Sequence, residues 1–273
     1  MWIATTYISG RECTATDLKA SFNDAISASL MTRLRTERGG VCIDFDNSDI
    51  VKLLVKNGLL TRDFVAAGNH VISPSKQGLY RDKIRAALDL IRELDPQLHS
   101  LICALIATVA CYRIPDTEGG SVSSCIGLIY LSPNPVWSSE FCGELLVHEF
   151  IHNSLFLEDM VRGVFPDYDL FDDEDALVTS TLRQTKRPFD KSYHSACVAV
   201  GLMYFHHLLG TAGKERDLIP RLQKTVQELE ACDRNLSRGG KLIITPNGRQ
   251  LLEEIRRFVV TLDYGIVAKA LQQ

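Results

Sequence analysis

The sequence predicts an α+β fold, predominantly helical, in a single domain whose small sheet packs near the helix that carries His148 and His152. Three observations predict it. Apolar residues recur at helical spacing over most of the chain. Three short runs, "VCIDF" at 41–45, "CIGLIYL" at 125–131 and "KLIIT" at 241–245, are rich in β-branched residues and read as strands. No Gly/Ser/Pro linker is long enough to separate domains.

Taken in order, residues 15–37 read as a helix that starts at Thr14 or Thr16 and stops before Gly39-Gly40. After the first strand, "NSDIVKLLVKNG" is a capped helix closed by Gly58. Two helices meet near Pro96, one over about 79–95 and an apolar one over about 97–112. The loop "PDTEGGSVSS" leads to the second strand, which ends at "SPNP", and a helix then starts near Ser138 or Ser139. Beyond Pro188, a helix over about 192–209 carries ten consecutive apolar residues, Ala196 to Phe205, and such a helix is buried all round. A helix near 214–235, the strand "KLIIT" and a Thr245-capped helix with Pro246 at its first position complete the chain. Residues 1–80 form an N-terminal helical segment of unassigned role, continuous with a metal-binding catalytic region over 81–273.

A chain of 273 residues can bury a full core. A formal charge of −4 and the absence of basic runs interleaved with aromatics set nucleic acid and anionic membranes aside as partners. The N-terminus lacks the basic leader and apolar run of a signal peptide. The longest apolar stretch, "LICALIATVACY" at 101–112, is too short to span a bilayer and fits a buried helix. Eight cysteines without a CxxC pair, most of them inside apolar runs, suit a reducing cytoplasm better than a disulfide framework. The acidic run "FPDYDLFDDEDALV" at 165–178 lacks the glycine and terminal glutamate of a calcium loop and reads as solvated.

The chemistry concentrates in "ELLVHEFIHNSLFLEDM", residues 144–160. On a helix, residues four apart point nearly the same way and lie about 6 Å apart along the axis, so His148 and His152 can hold one ion. Glu149 sits beside that site, within reach of acid–base work. A third ligand is required. Glu158 and Asp159 are the nearest acidic alternatives, but no glycine breaks the helix before Gly163. In a continuing helix Asp159 lies about 16 Å beyond His148 and falls short of the ion. His194, in the first turn of the apolar helix, is the better choice: the positive end of a helix dipole keeps its ring neutral, the form that binds metal. An all-histidine set leaves zinc, iron and copper open.

Four blocks together resemble the HExxH-type peptide β-hydroxylases that depend on iron(II) and 2-oxoglutarate and are associated with bacterial peptide-modification pathways. "SSCIGLIYLS" is similar to their small-residue strand, and residues 144–160 to their leucine-flanked motif. "KRPFDKSYHSACVAVGLMYF" resembles their Arg-Pro segment and histidine-bearing helix, and "LIITPNGRQLLEEI" their closing strand-turn-helix. The resemblance covers roughly residues 121–209 and 241–255. It implies iron ligands at His148, His152 and His194, with Arg187 binding a carboxylate of 2-oxoglutarate. Asp190, where a glutamate is usual, and Lys191-Ser192-Tyr193 depart from the family pattern. The implied reaction couples decarboxylation of 2-oxoglutarate by O2 to hydroxylation of an unactivated carbon in a peptide or small-molecule substrate, with Glu149 beside the metal rather than an obligatory base. The rival reading is a zinc metallopeptidase in which Glu149 is the general base on a zinc-bound water.

Overall fold

A computed structural model describes residues 40–265. The helix expected over 15–37, with its caps at Thr14 or Thr16, lies outside the described residues. The described chain is α+β and mostly helical, and it divides into two compact units, 40–153 and 154–265.

In the first unit, strand β1 (Cys42–Asp44) is followed by helix α1 (Ser48–Lys56). Asn47 starts α1 by accepting hydrogen bonds from the amides of Asp49 (3.0 Å) and Ile50 (3.4 Å), and Gly58 closes it in the left-handed region at φ 72°. The short α2 (Arg62–Ala66) leads to α3 (Pro74–Leu94) and α4 (Pro96–Leu105). Between α3 and α4, Asp95 accepts from the amides of Gln97 (2.9 Å) and Leu98 (3.0 Å), while Pro96 fills the first helical position. Strands β2 (Thr108–Cys111), β3 (Gly119–Gly120) and β4 (Leu128–Leu131) complete a sheet of order β1-β2-β4-β3. Strands β1, β2 and β4 run parallel, with Val109 opposite both Ile43 and Ile129, and β3 pairs antiparallel at the edge. Ile50, Leu54, Ala110, Tyr112, Leu128 and Tyr130 belong to the core between α1 and the sheet.

The apolar run at 101–112 is therefore not one helix. It breaks at Leu105, and Thr108–Cys111 becomes an interior strand. A continuous apolar stretch satisfies a fully buried strand as well as a buried helix. Here Thr108 and Val109 are β-branched, and β1 and β4 offer partners on both sides.

Helix α5 (Ser139–Arg162) contains the division between the units, after Asn153. Asn153 is fully buried and joins α5 to the start of β4. Its Oδ1 accepts from the Gly127 amide (2.7 Å), and its Nδ2 donates to the carbonyls of Leu128 (3.4 Å) and Glu149 (2.9 Å).

In the second unit, β5 (Leu177–Thr179) and β6 (Lys186–Pro188) form an antiparallel pair ahead of α6 (Phe189–Leu208). Helix α6 is buried along most of its length, as its apolar run predicts, and packs against α7 (Ala212–Arg238). Glu228 on α7 ties both strands together: it accepts from the Thr179 amide (2.8 Å), the Thr179 hydroxyl (3.1 Å) and the Lys186 ammonium (2.8 Å). Helix α8 (Pro246–Thr261) begins at Thr245, whose hydroxyl accepts from the Gly248 amide at 3.2 Å. "KLIIT" is not a strand. Ile243 and Ile244 are buried without a strand partner among the described residues, and the Thr245 amide donates to the Val164 carbonyl at 2.9 Å. Among the described residues no helix is long and apolar enough to cross a membrane.

Replacing Asn153 by Leu removes three buried hydrogen bonds and strands the Gly127 amide. The expected loss is about 3 kcal/mol, read from urea denaturation. An unchanged midpoint would deny Asn153 this anchoring role.

Candidate metal centre

Helix α5 continues without a break through both histidines. Their ring centres lie 5.0 Å apart with the planes at 49°. Two imidazoles bound to one ion at ~2.0–2.1 Å in a tetrahedral shell place their centres about 5 Å apart. The pair therefore fits a metal ion.

Glu149 lies next to this pair and is 5% exposed. Its Oε2 accepts a hydrogen bond from the Ser121 hydroxyl at 2.8 Å, and its Oε1 lies 3.8 Å from His148 Nε2. Burial pushes the Glu149 carboxyl up to about 7, against the opposing pull of the Ser121 hydrogen bond. The Tyr130 phenol is pushed up to about 12, by burial first and by the Glu149 carboxylate second, which places the two groups in each other's field.

His194 and Arg187 belong to the second unit. The His194 ring is buried, 5.3 Å from the Phe156 ring and stacked at 22° and 6.3 Å on Phe165. Burial, and then the Lys191 ammonium, pull its pKa down to about 3, with Asp159 opposing. The imidazole is therefore neutral at any physiological pH, the form a metal requires. Arg187 is half-buried on β6 opposite Val178, and no carboxylate pairs with it among the described residues. Its neighbours in the ladder, Lys186 and Thr179, are both bonded to Glu228, so the alternation of a strand turns Arg187 to the other face.

The two acidic alternatives are engaged at the end of α5. Glu158 pairs with Arg162 at 3.4 Å. Asp159 accepts from the amides of Val164 (2.6 Å) and Phe165 (2.9 Å) and from the Tyr168 hydroxyl. The Asp159 contacts close the helix, whereas the Glu158 contact is an i,i+4 pair along it.

The structure thus brings His148, Glu149 and His152 together, while among the described residues no three His, Cys, Asp or Glu side chains converge closely enough to hold a metal ion. Sequence reasoning missed Ser121 and Asn153. The signal for Ser121 was the Gly119-Gly120 pair, since adjacent glycines beside a strand mark a close approach of neighbouring groups. Asn153 carried no signal beyond its place after the motif. No model of a known protein family matches the chain, and no curated protein matches it significantly.

Glu149 sets a pH dependence for the metal-free protein. Its carboxyl moves from the ordinary 4.5 to about 7 on folding. Below 4.5 it is protonated in both states; between there and about 7 the unfolded chain ionises first, so stability falls as pH rises. The expected loss is on the order of 3 kcal/mol. Denaturation across this range should show the slope, and Glu149→Gln should flatten it. A slope that persists in the variant belongs to another group.

Proposed function

We propose that the chain is a non-haem iron(II)- and 2-oxoglutarate-dependent oxygenase that hydroxylates an unactivated carbon of a peptide side chain or an amino-acid-like substrate. The observation that carries metal dependence is the 5.0 Å pairing of the His148 and His152 rings beside a buried carboxyl. The choice of oxygenase rests on the resemblance of four sequence blocks and on two supports. Arg187 has no carboxylate partner among the described residues, and Glu158 and Asp159 are engaged elsewhere. The unbridged state of the seven described cysteines suits a cytoplasmic setting.

In this reading His148 and His152 hold the ion, and the sequence resemblance implies His194, kept neutral by burial in its own unit, as a further ligand. The iron, when bound, supplies the redox chemistry that couples 2-oxoglutarate and O2 to C–H hydroxylation. The chain's own residues orient and exclude. Arg187 would grip a 2-oxoglutarate carboxylate through two parallel N–H donors. Phe156 and Phe165 keep water from the His194 ring. Glu149 stays hydrogen-bonded to Ser121 beside the His148 ring.

One observation favours the zinc metallopeptidase reading: a carboxyl near pKa 7 beside two histidines is matched to general-base work at neutral pH.

Purified protein supplied with iron(II), ascorbate, 2-oxoglutarate and a peptide library is expected to release succinate. His148→Ala and His152→Ala should each abolish it. Zinc-dependent peptide cleavage without succinate would replace this reading by the peptidase. Glu149→Gln separates the two further: a peptidase loses about 10²- to 10⁴-fold in turnover while keeping its metal, whereas the oxygenase is expected to lose about tenfold or less.

A further inference from the structure

We propose that Ser121 is a positioning residue that divides the two oxygens of Glu149, holding one in a hydrogen bond so that the other faces the His148 ring. The argument begins in the sequence "GGS" at 119–121. At Gly120 a Cβ would meet the Tyr130 hydroxyl and lie 2.5 Å from Tyr130 Cζ. At Gly119 it would lie 2.6 Å from the Leu131 side chain and 2.8 Å from the Tyr130 carbonyl oxygen. A side chain at Gly119 would press on the backbone of β4 and one at Gly120 on the Tyr130 ring, so the edge strand lies flush against Tyr130 and Leu131. The residue that follows is Ser121, and its hydroxyl reaches Glu149 Oε2 at 2.8 Å.

Glu149 is thereby held at both ends. Its backbone carbonyl accepts from Asn153 Nδ2 at 2.9 Å, and its carboxyl accepts from Ser121. The last torsion of a glutamate is broad, so packing alone does not fix the plane of the carboxyl group. The Ser121 hydrogen bond fixes it, with one oxygen towards the hydroxyl and the other towards the His148 ring. With Oε2 engaged, Oε1 is the oxygen left 3.8 Å from His148 Nε2. Every contact in this chain of contacts lies within the first unit. The assignment deepens the metal-centre reading and rests on it only for the metal arm of its test.

The test has two arms. In the first, metal-free protein labelled with ¹³C at glutamate carboxyls is examined by NMR at one fixed pH. The Glu149 resonance is assigned by its disappearance in Glu149→Gln. Ser121→Ala is expected to move that resonance while leaving the other glutamates in place, and Ser121→Thr, which keeps the hydroxyl, to return it towards its native position. An unmoved resonance in Ser121→Ala, a general shift of all glutamates, or a failure of Ser121→Thr to restore it overturns the assignment.

In the second arm, cobalt(II) is titrated into the protein and its visible absorption recorded. Ser121→Ala is expected to change the spectrum and weaken affinity about tenfold, with Ser121→Thr close to native. The double variant Ser121→Ala/Glu149→Gln should be no weaker than Glu149→Gln alone, because Ser121 acts through that carboxyl. Additive losses would overturn it. If the native protein takes up no cobalt while the carboxyl resonances behave as expected, the metal reading fails and the positioning role stands.

Discussion

The carboxamide of Asn153 is the contact on which the candidate centre depends. It follows His152 directly and joins the turn of α5 that carries Glu149 to the start of β4. The histidine pair keeps its spacing through helix geometry, but Glu149 meets Ser121 only if the helix neither rolls nor slides on the sheet, and a buried side chain with all its hydrogen-bonding groups in use resists both motions. The sheet contributes in return. Its edge strand is stripped to two glycines so that Tyr130 can lie against it, and that close approach delivers the Ser121 hydroxyl to Glu149.

Burial selects the protonation state of the groups with candidate chemistry. Glu149, forced upward to about 7, can hold or release a proton near neutrality. His194, forced down to about 3, cannot accept one. One mechanism, the cost of carrying charge away from water, produces opposite outcomes because the charged form is the deprotonated carboxyl in one case and the protonated imidazole in the other. Such paired perturbations are common where chemistry is done, which makes these two residues the natural places to look for it.

Much of the fold was legible in the sequence because its signals are local. The Asn47 cap, Gly58 at positive φ, Pro96 and the Thr245-Pro246 start all follow from side chains that bond or constrain the adjacent backbone. The errors fell where two structures share one pattern. Thr108–Cys111 reads as helix or strand until β1 and β4 supply its partners, and Ile243-Ile244 reads as a strand although burial alone explains the two isoleucines. The pairing of β5 with β6 was invisible because three-residue strands carry too little periodicity, and what stabilises them is Glu228 far along the chain. Within the candidate centre, the spacing of His148 and His152 was readable from helix geometry alone. Ser121 and Asn153 were not, since their roles depend on which elements the fold brings beside α5.

Counting the histidine ligands on a bound ion tests the central claim most directly. Copper(II) loaded into the purified protein and examined by pulsed electron paramagnetic resonance reports coupled imidazole nitrogens one by one. The account predicts imidazole coordination in the native protein that is lost when both His148 and His152 are replaced by alanine. Ion binding of native affinity without imidazole coupling, or coupling that survives the double replacement, would contradict it.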